Sequence, residues 1–201
     1  LRNQFGEDVV NHYTYCLHSD GDIQEPVSQG AIALAGHWGL GKLINYYDAN
    51  NAQISGKVTR SDSTDYVKLY EAHTWHVQEI NGHDRGAIRD AIRQAQMEIE
   101  KPSVIIGRTT MAQGCATMED DHNTHGSPLP PEEIAATKEK LELNSEEFFH
   151  LPEDVLTDFR SGYEFTRSEV AAWNSALEVR MEESEFSQKW NLAFGDRFPS
   201  F

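Results

Sequence analysis

Two short polar stretches, Asp20-Gly21 and Asn50-Asn51, lie thirty positions apart, and each follows a run of β-forming residues. Residues 13–18 stop abruptly at Ser19-Asp20-Gly21, and residues 43–47 lead into a loop over 48–51. If the two strands run side by side and parallel, their ends face one crevice. A divalent cation carrying a diphosphate takes hard oxygen ligands at roughly 2.0–2.1 Å in octahedral geometry, with phosphate oxygens filling several positions. Asp20 offers a carboxylate, Asn50 a side-chain carbonyl and Ala52 a main-chain carbonyl, while Gly21 lets its N–H come close to a phosphate. A helix predicted to begin near Pro26 adds its dipole at the same place. Alone, the Asp-Gly pair also describes a plain turn after a strand.

The elements that would position these groups are legible from periodicity. Val27, Gly30, Ala31, Leu34, Ala35 and Trp38 recur at helical spacing and predict the face that lies on the sheet. Residues 63–74 read as a helix and 75–80 as a strand. Ile88, Ala91, Ile92, Ala95 and Ile99 mark another helix face, and 102–107 is the last clear strand. Strands alternating with helices predict an α/β fold, a doubly wound, mostly parallel sheet flanked by helices, with ligands bound beyond the carboxyl ends of the strands. The polar, glycine-containing stretch 108–131 is a candidate binding loop. From residue 152 the pattern is helical, with Val170, Trp173, Leu177 and Met181 as a packing stripe. The expected organisation is an α/β domain over 1–150 and a helical tail over 151–201.

Charge and composition narrow the partners. The formal net charge is −16, and residues 131–186 hold 15 acidic against 5 basic residues, a net −10 read as a solvated helical surface. Such a balance speaks against nucleic acid or an anionic membrane as partner, since both require a basic face. It leaves a phosphorylated small molecule open. Apolar runs are far shorter than the ~20 residues of a membrane span. The two cysteines, Cys16 and Cys115, suggest no disulfide framework and fit a reducing cytoplasm. The opening Leu1-Arg2 is not an initiator, which points to a piece of a longer chain.

Ser19-Asp20-Gly21 followed by Tyr47-Asp48-Ala49-Asn50 resembles the thiamine diphosphate signature, Gly-Asp-Gly, about thirty residues, then Asn. Glu25, Ala35-Gly36, Gly39-Leu40-Gly41-Lys42-Leu43-Ile44, Trp75-His76-Val77, Asn81-Gly82-His83-Asp84, Lys101-Pro102-Ser103, Arg108-Thr109 and Thr124-His125-Gly126-Ser127-Pro128-Leu129 narrow the resemblance to the transketolases, over about residues 10–160. Three positions depart from the family pattern. Ser19 replaces the first signature glycine, and Thr74 and Ala112 stand where glycine is usual.

The resemblance implies that Asp20, Asn50 and the Ala52 carbonyl bind Mg²⁺, with Ca²⁺ or Mn²⁺ as substitutes. It implies that Gly21 and Asn50 hold the diphosphate, and that His125 sits over cofactor and sugar and assists with substrate hydroxyls and protons. Glu25 corresponds to a glutamate at the subunit interface that joins acidic groups linking two active sites. His37, His73, His76, His83 and His122 receive no role, and Asp84 is read as a helix cap. The implied reaction moves a two-carbon ketol unit from a ketose phosphate to an aldose phosphate, as in the pentose phosphate pathway. The family's upstream histidines, its Gly-Pro-Leu loop and its pyrimidine domain are not in this sequence. Activity is therefore expected only with a companion pyrimidine-domain segment and in a homodimer. Rival readings are another thiamine-dependent transferase, such as a deoxyxylulose phosphate or dihydroxyacetone synthase, and a non-catalytic cofactor-binding fragment.

Overall fold

The computed structural model describes residues 1–54 and 56–195. Along the chain run α1 (Arg2–Phe5), β1 (Thr14–Ser19), α2 (Asp20–Ile23), α3 (Pro26–His37), β2 (Leu43–Ala49), β3 (Ala52–Gln53) and β4 (Gly56–Lys57). Then come α4 (Tyr66–Ala72), β5 (His76–Asn81), α5 (Arg85–Met97), β6 (Ser103–Arg108), α6 (Pro131–Lys140), α7 (Glu153–Met181) and α8 (Ser184–Phe194). They fall into two compact units: Tyr13–Glu147, and Leu1–His12 with the chain from Phe148 onward.

In the first unit β1, β2, β6 and β5 lie in that order, and every pairing is parallel. The expected α/β class is what forms. Val104, Ile105 and Ile106 of β6 are fully buried, the signature of a strand covered on both faces. Ile44 and Ile105 pack with Ala91 and Ala95 of α5 on one face. Tyr47, Val104 and Ile106 pack with Ile32, Ala35 and Tyr70 on the other. Parallel strands put the ends of β1, β2 and β6 at one edge of the sheet, with Ser19 beside Asp48 and Asp48 beside Gly107. Asp48 thus belongs to the ladder and not to the loop expected over 48–51, because it pairs on both sides.

Of the expected packing face of α3, Ala35 is buried but the larger side chains are not. Val27, Leu34 and Trp38 are 78%, 49% and 64% exposed, whereas Ile32, Ala35 and Gly36 are buried. The helix is apolar nearly all round, so periodicity alone leaves its face open. Gly36 decides it: a Cβ there would stand 1.8 Å from the His73 carbonyl oxygen, so only glycine permits this approach. The Trp75 indole N–H donates to the Ile32 carbonyl at 2.9 Å and fastens the same face.

The second unit gathers α1, α7 and α8 around Phe5, Val9 and Phe186, with Leu177, Met181 and Trp190 alongside. The Trp173 indole donates to the Val9 carbonyl at 2.8 Å. The first twelve residues therefore go with the C-terminal helices, unlike a single division near residue 150. Of the predicted stripe, Leu177 and Met181 pack, while Val170 and Trp173 stay about half exposed.

Candidate functional site

The carboxyl ends of the strands border a cleft of about 620 Å³, lined among others by Ser19, Asp48, Asn50, His83, Thr109 and Thr110. Asp20 opens α2 directly after β1 and is 4% exposed. Its Oδ2 accepts the main-chain N–H of Asn50 at 3.0 Å and of Asn51 at 2.7 Å. Two successive amides aim at one oxygen because Asn51 takes φ 58°, a left-handed conformation that asparagine tolerates well. The Tyr47 hydroxyl donates to Oδ1 at 2.6 Å. Burial first, and then this bond, push the Tyr47 phenol far above its ordinary range, so it remains a donor.

Asn50 is held at both ends of its amide. Its Nδ2 donates to Asp48 Oδ2 at 3.1 Å, and its Oδ1 accepts the Ala52 N–H at 2.9 Å. Thr109, just past β6, donates through Oγ1 to Asp48 Oδ1. Hydrogen bonds thus link the three residues in series, Asp20 to the Asn50 main-chain amide and the Asn50 side-chain oxygen to the Ala52 amide.

These residues fit a hard divalent cation. A buried carboxylate ordinarily needs a cationic partner, yet among the described residues no Lys, Arg or His forms an ion pair with Asp20. Each carboxylate oxygen has two acceptor positions. Oδ2 uses both and Oδ1 one, which leaves an acceptor on Asp20 Oδ1 and another on Asn50 Oδ1. Among the described residues no group of three or more His, Cys, Asp or Glu side chains could hold a metal. An ion here would rely on one carboxylate, neutral oxygens and the ligand's own phosphates, the pattern usual for Mg²⁺ with a nucleotide or diphosphate.

Ser19 sits at φ −131° and ψ −174°, extended backbone open to any residue, so the loss of glycine there strains nothing. Its N–H and hydroxyl both meet Asp22 Oδ2, at 2.8 and 2.9 Å. A Cβ on Gly21 would meet nothing within 4 Å. Thr74 and Ala112 are different: φ is 64° and 51°, the left-handed region where glycine is at ease.

Of the predicted groups Asn50 lines the cleft, whereas Asp20, Gly21, Ala52, Glu25 and His125 do not. His125 is exposed, just after the short helical turn His122–Thr124. That turn is tied to the hairpin following Asn50, since Lys57 Nζ reaches the Asp120 carbonyl at 3.1 Å and pairs with its carboxylate. Glu25 is exposed and makes no capping bond to α3. Asp84 caps α5 as expected, accepting from Gly86 and Ala87 at 2.8 and 3.1 Å.

Four participants were missed by sequence reading: Tyr47, Asp48, Thr109 and His83. His83 Nε2 accepts the Thr110 N–H at 2.7 Å and joins the loops after β5 and β6. Its place in the word Asn81-Gly82-His83-Asp84 was the available signal. His18 stacks on Tyr47, with ring centroids 5.1 Å apart, and burial lowers its pKa.

Residues 2–193 match the family described as "Transketolase, thiamine diphosphate binding domain". The chain belongs to that family. It is 39% identical over 205 residues to transketolase 2 of Xanthobacter flavus, covering 99% of this chain and 29% of that protein. With the transketolase of Sinorhizobium medicae it shares 35% identity over 188 residues, covering 94% and 27%. The transketolase structure from Campylobacter jejuni superposes with a TM-score of 0.88 at 35% identity, covering 97% of this chain and 30% of that one. That from Leishmania mexicana gives 0.81 at 31% identity, covering 96% and 27%. The chain therefore spans under a third of the length of the relatives it matches.

Proposed function

We propose that this chain supplies the diphosphate and Mg²⁺ site of a transketolase, which transfers a two-carbon ketol unit between sugar phosphates in the pentose phosphate pathway. One observation carries the reading. The buried Asp20 carboxylate, which has no Lys, Arg or His ion-pair partner among the described residues, is held by the Tyr47 hydroxyl and by two main-chain amides, one of them that of Asn50. Asp20, Asn50 and the Ala52 carbonyl would hold the ion, with Gly21 and Asn50 against the diphosphate. The open space over Gly21 suits close approach of a phosphate. Bound thiamine diphosphate would supply the electron sink that the ketose C–C cleavage requires.

The chain's own residues have narrower tasks. His125 would hydrogen-bond sugar hydroxyls and move a proton at a ring nitrogen, for which its exposure leaves it accessible. Glu25 would lie at a subunit contact beside the uncovered apolar face of α3, Val27, Leu34 and Trp38. A homodimer and a pyrimidine-binding segment, reached beyond the helices after residue 150, would complete the site. Both cysteines are free thiols, and among the described residues no helix is long and apolar enough to cross a membrane. A cytoplasmic location accords with this.

The test is product analysis on the intact polypeptide with a ketose phosphate donor and ribose 5-phosphate as acceptor. A seven-carbon ketose phosphate product dependent on thiamine diphosphate and Mg²⁺ supports the reading. Decarboxylation of pyruvate with transfer of its two-carbon unit to an aldose phosphate, or ketol transfer to formaldehyde alone, would assign another thiamine transferase, and cofactor binding without turnover would assign a binding module.

A further inference from the structure

Asp48 and Thr109 are absent from the ligand set above, yet they line the cleft beside Asn50. We infer that Asp48, held by Thr109, is the positioning residue that turns the Asn50 amide oxygen toward the cation and so sets metal affinity. The inference rests on the reading of Asp20 and Asn50 as a Mg²⁺ site.

An asparagine amide has two nearly isosteric ends, of which only the oxygen binds a hard cation. A flip through 180° would present NH₂ to the ion instead. Two contacts forbid the flip here. A carboxylate can only accept, so Asp48 Oδ2 selects the Asn50 nitrogen, and a main-chain amide can only donate, so the Ala52 N–H selects the oxygen. Asp48 is itself fixed. It lies within the ladder between Ser19 and Gly107, and its second oxygen accepts from the Thr109 hydroxyl. A chain of contacts therefore runs from the end of β6 through β2 to the ligand on the next loop. Groups that orient metal ligands in this way typically alter affinity by about 10–100-fold when removed.

The acceptor role differs from a role for the Asp48 charge, and Asp48→Asn separates them. An asparagine at 48 can still accept from Asn50 Nδ2 through its oxygen and donate to Thr109 Oγ1 through its nitrogen.

Binding of Mn²⁺ to the intact protein is measured by the EPR signal of the free ion, with thiamine diphosphate present, alongside the melting temperature of the metal-free protein. Asp48→Ala is expected to weaken Mn²⁺ binding about 10–100-fold with the metal-free melting temperature unchanged, while Asp48→Asn stays within about threefold of the parent. Thr109→Val is expected to give a smaller loss in the same direction, and it decides the matter if Asp48→Ala does not fold. The inference is overturned if Asp48→Ala, or failing it Thr109→Val, binds like the parent while Asn50→Ala loses the ion. It is equally overturned if Asp48→Asn falls as far as Asp48→Ala. If Asp20→Ala and Asn50→Ala both bind like the parent, the metal site itself is refuted.

Discussion

Replacing Tyr47 by Phe removes one oxygen from the least exposed part of the site and leaves the rest of the side chain in place. Tyr47 is 2% exposed, its ring stacks on His18, and Tyr66 meets it edge-on at 5.7 Å. None of that packing depends on the hydroxyl. What is lost is a 2.6 Å bond to a buried carboxylate, and hydrogen bonds to charged groups contribute about 1.5–3 kcal/mol. Asp20 keeps its two amide donors, and Phe escapes the desolvation of the phenol, so the net loss should lie near the middle, about 2 kcal/mol. Urea unfolding of the metal-free chain, followed by circular dichroism, measures it. Tyr66→Phe is the internal comparison. It breaks the same type of bond, to Asp62 at a more exposed site, and should cost less than about 1 kcal/mol. Equal losses in the two variants, or a Tyr47→Phe loss below about 0.5 kcal/mol, would refute the claim that burial makes the Asp20 contact strong.

Three other outcomes follow from the same geometry. Gly36→Ala drives a methyl into the His73 carbonyl and should destabilise the chain by more than about 2 kcal/mol in the same unfolding assay, since overpacking typically costs about 1–3 kcal/mol and backbone on both sides cannot yield. Ala112→Gly, at φ 51°, should raise stability by up to about 1 kcal/mol, because relief of about 1–2 kcal/mol of left-handed strain exceeds the entropic cost of glycine. Glu133 accepts from the Thr117 N–H and hydroxyl and the Met118 N–H, at 2.8, 2.7 and 3.1 Å, and the Thr117 bonds chiefly hold its pKa below the ordinary value. A depressed carboxylate stabilises the fold above its unfolded pKa and loses that contribution as pH falls through the lower folded value. The protection factors of the amides over residues 115–118 should therefore fall below about pH 4.5 in the parent, and should already be reduced at neutral pH in Glu133→Gln.

How much of this was readable from the chain depends on the range of the interaction that decides each feature. Strand ends marked by Ser19-Asp20-Gly21 and by Asn50-Asn51 are local turn chemistry, and they came out where turn chemistry puts them. Convergence of Asp20 with Asn50 needed only the inference that the strands are parallel neighbours, which helix and strand alternation supports. Tyr47, Asp48 and Thr109 act through register: which side chain on β2 meets which neighbour is set by three strands aligned side by side, and no single stretch encodes it. The buried face of α3 depends on a contact between Gly36 and His73, 37 positions away, and the place of residues 1–12 on Phe5 meeting Phe186. Thr74 and Ala112 lie between these cases. Their departure from glycine was visible, but the positive φ that makes it matter was not.

The arrangement of donors around Asp20 also bears on the order of events when an ion binds. Many small metal sites form only with the metal, so that binding and folding are one process. Here the carboxylate is already oriented by groups belonging to β2 and the turn after it, and the Asn50 amide by Asp48 within the ladder. The sheet that carries them has its own core, in which Val104, Ile105 and Ile106 are fully buried without help from the cleft. On the proposed reading the cation would meet its ligands in place, and the binding energy would not be spent on ordering the loop. Stripping the metal should then leave the far-ultraviolet circular dichroism of the chain unchanged, whereas a site built by its ion would lose structure together with it.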